Sequence, residues 1–260
     1  MIGILDGGLG GLAAVKSLRR RLPDYDLLYF GDTAHGPFGG KSAETAARFA
    51  LDGARRLAAL GARLILATSH SMAAAAGDRL WAAPGIPVFD PIPSGAARAI
   101  ARSRKGAVGV IASPLTIQTD AYGQAMASLD ADVRVHPSAC PLLPLLVEEG
   151  RLKKPETHMI VRKYLIPLKS RQIDALILGG GHYLPLAAAI GRKAGKRVAL
   201  IDPFDAMAEA VRLFLREAPD RDAQLPKTGS LRVLLSDIPP GAEKTARFLL
   251  GRNLQLEPAP

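Results

Sequence analysis

Cysteine is nearly absent from this chain. With one such residue, Cys140, in 260, it has no intramolecular disulfide and no cysteine-rich metal site, which fits a reducing compartment. Aromatic residues make up 5% of the sequence, with a single tryptophan. No aromatic RNA-binding motif, zinc-finger spacing or basic heptad region accompanies them, so nucleic acid is not an expected partner. No apolar run reaches the ~20 residues that cross a bilayer. The opening Ile2-Gly3-Ile4-Leu5 has neither a basic n-region nor a long apolar h-region. The expectation is a cytoplasmic protein with no membrane partner.

What is present suffices for a large core. The chain is 48% hydrophobic and 22% charged, and its length suits one large or two small domains. Its net charge of +10 is uneven: Lys and Arg outnumber Asp and Glu by 10 to 8 over residues 1–92, by 16 to 8 over 93–203, and match them 8 to 8 over 204–260. Solvated helix ends account for clusters such as Arg102-Ser103-Arg104-Lys105 and Arg151-Leu152-Lys153-Lys154; a basic face for an acidic partner or nucleic acid is the alternative.

Short apolar runs alternate with helical periodicity from the first residues onward. Ile2–Leu5, Asp26–Phe30 and a run ending at Thr68 read as strands, with helices between them. Pro91-Ile92-Pro93 interrupts the pattern, after which Ala107–Ala112, Val133–His136, Leu176–Gly179 and Val198–Ile201 repeat it. Leu231–Ser236 and Leu254–Leu256 close the chain as strands. The expectation is an α/β fold of two doubly wound parallel-sheet domains: residues 1–92 with a returning tail 204–260, and residues 93–203.

Two strand ends match. Leu64-Ile65-Leu66-Ala67-Thr68-Ser69-His70 and Leu176-Ile177-Leu178-Gly179-Gly180-Gly181-His182 each carry Leu-Ile-Leu, three small residues and histidine. Such pairing points to a pocket between two related halves. Gly8-Leu9-Gly10-Gly11-Leu12-Ala13 fits a dinucleotide turn, with Asp32 after the next strand positioned for a ribose. Asp6, however, puts a carboxylate where a pyrophosphate would lie, which leaves a plain βα turn or a small-molecule site. No cofactor is expected.

Several segments carry a family resemblance. Ile2-Gly3-Ile4-Leu5-Asp6-Gly7-Gly8-Leu9-Gly10-Gly11-Leu12 and Tyr29-Phe30-Gly31-Asp32-Thr33-Ala34-His35-Gly36-Pro37-Phe38-Gly39 resemble the first two motifs of bacterial glutamate racemases, members of the aspartate/glutamate racemase superfamily. Ala139-Cys140-Pro141-Leu142 through Val147-Glu148-Glu149-Gly150, Leu178–Tyr183 and Leu200-Ile201-Asp202 follow in the family order. The resemblance implies two flavodoxin-like domains related by a pseudo-twofold axis, with an interdomain cleft. It also implies cofactor-free racemisation in a cell-wall context, by two cysteines on opposite faces of the substrate, because inverting a carbon requires proton traffic on both faces.

By the same resemblance, the catalytic cysteines are replaced by Thr68 and Gly180, and Cys140 lies outside both catalytic motifs. A threonine hydroxyl is a far weaker acid than a thiol of pKa ~8.5, and glycine has nothing to offer. Substrate-binding positions differ too: Gly7 replaces serine, Phe38 tyrosine, Ser69 and His70 an Asn-Thr pair, and Gly181 threonine. The residues taken to line the pocket are Gly7, Asp32, Pro37, Phe38, Gly39, Thr68, Ser69, Glu149, Gly180 and Gly181. Gly179-Gly180-Gly181 would leave room for a bulkier ligand or present amides to an anion.

Three functional readings follow. The first is a glutamate-racemase-like protein that lacks the two-cysteine route and binds another small carboxylate or anionic metabolite. The second is an isomerase, lyase or racemase with His182, Asp6 and His70 as acid/base groups. The third is an interaction protein with a basic second domain. A metal site from His70, His182 and Asp6 lacks ligand spacing, Ser69 and Ser71 are outside any G-x-S-x-G elbow, and a homodimer is compatible with all three readings.

Overall fold

The computed structural model describes residues 1–82, 85–251 and 254–260. Its frame is a set of parallel strands: β1 (Ile2–Asp6), β2 (Leu27–Gly31), β3 (Leu64–Ala67), β4 (Val88–Phe89), β5 (Ala107–Ala112), β6 (Arg134–Ala139), β7 (Ala175–Gly179), β8 (Ala199–Ile201), β9 (Leu231–Leu235) and β10 (Leu256–Pro258). One sheet has the order β10-β9-β2-β1-β3-β4 and the other β6-β5-β7-β8. Each therefore contains the flavodoxin-like succession second, first, third, fourth strand, and the tail strands β9 and β10 extend the first sheet beyond β2. This shared order makes β1 the counterpart of β5, and β3 the counterpart of β7.

The central strands β1, β3, β5 and β7 are buried along their whole length. Their unbroken apolar runs follow from helices covering both faces of a parallel sheet. β4 has no counterpart among the expected strands because it is two half-buried residues paired with Ile65 and Leu66, too short for any pattern.

The prolines at 91 and 93 do not break the chain. They lie in the first turn of a helix, Pro91–Arg102, whose N-cap Asp90 accepts a hydrogen bond from the Ile92 amide. Proline suits that turn, where its missing N–H would have no intrahelical partner. This helix joins the two sheets and packs on the returning helix Pro203–Glu217, which in turn packs on helix Leu12–Arg21. At their junction Asp205 accepts from Arg21 at 3.0 Å and from Arg98 at 2.8 Å. Burial pushes the Asp205 pKa up, but Arg21 and Arg98 outweigh it and hold the value at about 2.

Candidate functional site

β1 delivers Asp6 to the end of the first sheet, where its carboxyl is buried at 7% exposure. The Gly8 amide donates to Asp6 Oδ1 at 3.0 Å, and the Thr68 hydroxyl, at the end of β3, stands 2.9 Å from Oδ2 and 3.1 Å from the Leu5 carbonyl. One hydroxyl proton cannot serve both acceptors at once. If Asp6 is protonated, it donates to Thr68 while Thr68 donates to Leu5, and both contacts become hydrogen bonds. The electrostatics run the same way: burial raises the Asp6 pKa, opposed by Thr68, His182 and the amides of Gly11 and Gly8.

The turn after Asp6 is held between the two matched strand ends. A side chain on Gly11 would overlap Thr68 and Asp6, one on Gly10 would overlap the His182 ring, and one on Gly181 would overlap the Gly10 carbonyl. Glycine is required here by close backbone approach. The halves therefore meet along this turn, with Thr68 on one side and Gly181-His182 on the other.

The remaining glycines correct the expectation of extra room. A Cβ on Gly7 would lie 2.6 Å from the buried Phe38 ring, and one on Gly180 would lie 2.9 Å from the Tyr183 ring. Tyr183 is itself buried and donates its hydroxyl to the Cys140 carbonyl at 3.4 Å. Close packing leaves no space for a side chain at either position. Neighbours occupy those volumes, and a Cβ on Gly179 would lie 2.8 Å from the Ile111 carbonyl, so Gly179-Gly180-Gly181 does not leave room for a bulkier ligand.

His182 and His70 have opposite surroundings. His182 Nε2 is 2.8 Å from Glu148 Oε1, at a side-chain exposure of 21%. His70 is not brought to this group: its ring is buried, with Nε2 3.0 Å from the Tyr122 hydroxyl and its edge against Phe204. Burial lowers its pKa to about 3, the nearby Thr68 carbonyl opposing weakly. Its Nδ1 has no hydrogen-bond partner among the described residues. The symmetry of the sequence motif thus ends at the histidines, one beside a carboxylate and one in the core.

The rest of the predicted lining is spread along the same edge. Asp32 is buried beneath the loop before Pro37, accepting from Ser236 at 2.8 Å and meeting His35 Nδ1 at 2.8 Å, while its own amide donates to the Asp6 carbonyl at 3.0 Å. Gly39 faces the second half: its Cβ would be 2.8 Å from Ser113 Cβ. Ser69 is the N-cap of helix His70–Ala76, and its hydroxyl would lie 3.3 Å from a Gly7 Cβ. Glu149 is exposed, and its neighbour Glu148 makes the contact to His182.

Two residues outside the predicted set bear on the site. Glu148 ends helix Leu142–Glu148, whose buried positions are Leu143 and Val147; the sequence pair Glu148-Glu149 does not say which carboxylate turns inward. Ser113 follows β5, the counterpart of β1, and its hydroxyl is 2.8 Å from that of Ser71 across the two halves. Symmetry between β1 and β5 was the signal for it. Among the described residues no group of three His, Cys, Asp or Glu side chains is arranged to hold a metal ion.

Asp6 and His182 thus flank a glycine turn, the one a carboxyl that burial favours in its neutral form, the other an imidazole paired to a carboxylate. Cys140, the sole thiol, is fully buried, and desolvation pushes its pKa up to about 12.

Comparison with known proteins agrees with this architecture. Residues 13–211 match the Asp/Glu/Hydantoin racemase family model. The chain is 37% identical over 254 residues to a glutamate racemase of Syntrophus aciditrophicus, covering 97% of this chain and 93% of that protein. It is 36% identical over 253 residues to one of Geobacter metallireducens, with the same coverage. Among solved structures, a Bacillus anthracis glutamate racemase superposes with a TM-score of 0.93 at 29% identity, covering 100% of this chain and 97% of the other. A Francisella tularensis glutamate racemase, solved in complex with D-glutamate, gives 0.91 at 31% identity with the same coverage. By sequence and by fold, the chain belongs to the aspartate/glutamate racemase family.

Proposed function

We propose that this protein is a glutamate-racemase-like member of the family that does not racemise through paired thiols, and that its cleft holds a different small carboxylate or other anionic metabolite. The observation that carries this is the state of Cys140: the only thiol is buried and held protonated, with a pKa of about 12. A thiolate is the form that would take the α-proton. Thr68 cannot replace it, since its hydroxyl is engaged with Asp6 and Leu5.

The packing of the glycines supports the change of ligand. At Gly7 and Gly181 the resemblance leads one to expect hydroxyl groups that bond an amino acid, and here Phe38 and the Gly10 carbonyl fill that space. Each charge-assisted bond lost without replacement weakens binding by about 1.5–3 kcal/mol. Two such losses carry a micromolar ligand to between about 0.2 mM and tens of millimolar. Remaining recognition groups are Ser69, Gly39 and His182, since Asp6 engages the Gly8 and Gly11 amides of the turn.

A second reading rests on the His182–Glu148 pair at 2.8 Å and the raised pKa of Asp6. These two groups would serve an isomerase or lyase acting on a carboxylate-bearing substrate. Calorimetric titration with L- and D-glutamate and with a panel of mono- and dicarboxylates tests the primary reading. The expected result is no saturable heat with either glutamate enantiomer and saturable binding of another carboxylate. Micromolar glutamate binding would overturn it.

A further inference from the structure

Half of the large apolar side chains that stand exposed among the described residues lie on two adjoining helices of the second half. They are Leu142 (48%) and Leu145 (57%) on helix Leu142–Glu148, and Met159 (65%) and Ile166 (54%) on helix Pro155–Ser170. The two helices pack on each other. The longer one turns Thr157, Val161, Leu165 and Leu168 into the core. Met159 and Ile166, seven residues apart, run along the opposite line of the helix, two turns from each other. A helix whose core is already satisfied gains nothing from apolar side chains on its water-facing crest.

Cations flank that crest. Arg162 and Lys163 stand between Met159 and Ile166, and Lys169 follows within a turn; all three are exposed. None has a carboxylate partner among the described residues, and the one acid on the helix, Glu156, is taken by Arg151. Lys153 and Lys154 precede the helix and Arg171 follows it. Part of the positive excess of residues 93–203 is gathered on this face.

We propose that this face binds an anionic phospholipid surface peripherally, with Met159 and Ile166 entering the headgroup boundary and Arg162, Lys163 and Lys169 meeting lipid phosphates. An apolar crest with cationic flanks is the pattern of helices that lie in a bilayer interface. Nucleic acid suits it less, because phosphates would face the apolar crest rather than the cations. A protein interface suits it less: such interfaces favour Met and Arg, as at Met159 and Arg162, but they are also enriched in aromatic residues and poor in lysine, whereas this crest has no aromatic residue and its flanks carry Lys163 and Lys169. The expectation of no membrane partner rested on the lack of a spanning run, and no described helix is long and apolar enough to span. Peripheral binding does not require one.

The test is co-sedimentation of the full chain with phosphatidylcholine vesicles, with and without phosphatidylglycerol, at physiological salt. Binding is expected only with the anionic lipid. Each cation contributes about fivefold to the partition coefficient, so the triple variant R162Q/K163Q/K169Q loses roughly 100-fold. M159S/I166S, which keeps every charge, loses about tenfold. These positions are exposed, and circular dichroism confirms that each variant is folded. No binding to anionic vesicles overturns the proposal. So does binding that the apolar pair does not affect, or retention on RNA or an acidic protein that exceeds binding to vesicles. Because the assay uses no cleft ligand, it fails or succeeds independently of the proposed function.

Discussion

Replacing His70 by glutamine should flatten the acid dependence of stability without touching the cleft. In the folded chain the His70 pKa is about 3, and in the unfolded chain it returns to about 6.5. A depressed folded pKa means the unfolded state binds the proton more readily. The stabilisation is therefore complete above pH ~6.5 and is lost as the pH falls toward ~3. Between about pH 7 and pH 5 the linkage relation gives a loss of roughly 2 kcal/mol from this residue alone. With a urea m-value near 3 kcal/mol/M, that is a midpoint shift of about 0.6 M. The side-chain amide introduced by His70→Gln can still reach the Tyr122 hydroxyl that the imidazole meets at 3.0 Å, so the fold should persist at lower overall stability. Urea titrations of both proteins at the two pH values supply the comparison, and groups common to both cancel in the difference. If the two proteins lose equal stability on acidification, His70 is not the buried neutral ring described here, and an acid/base role for it is reopened.

Two further outcomes follow from packing. Gly181→Ala puts a methyl group into the Gly10 carbonyl and should cost about 1–3 kcal/mol or more in urea unfolding. Gly40→Ala, where nothing lies within 4 Å, should stay within about 1 kcal/mol; equal effects would refute the close approach of the two halves. Cys140 should resist a thiol-specific disulfide reagent at about pH 8 in the native protein and react fully in denaturant. Rapid native labelling would contradict its burial.

Much of this arrangement is legible in the sequence. Fully buried strands such as Leu64–Ala67 and Ala175–Gly179 announce themselves as apolar runs too short for helices, and the small residues after them mark the strand ends. What sequence cannot give is which neighbour fills a vacated volume. Gly179, Gly180 and Gly181 read as open space, but the Ile111 carbonyl, Tyr183 and the Gly10 carbonyl take it up. The two histidines illustrate the same limit: the motifs match, but His182 lies beside Glu148 while His70 is buried against Tyr122 and Phe204. Side-chain direction at a loop tip depends on partners far along the chain, Glu148 for one and Tyr122 for the other. Pro91 and Pro93 interrupt the apolar pattern for a local reason: they open the helix that joins the two sheets.

The central claim is that a racemase fold persists here without thiol chemistry at the α-carbon of glutamate. Proton NMR in deuterium oxide tests it directly, by following the α-proton of L- and of D-glutamate incubated with the protein. No loss of that signal above the protein-free control is expected for either enantiomer, and no effect of Thr68→Ala or His182→Ala. Enzyme-dependent exchange that Thr68→Ala or His182→Ala abolishes would contradict it.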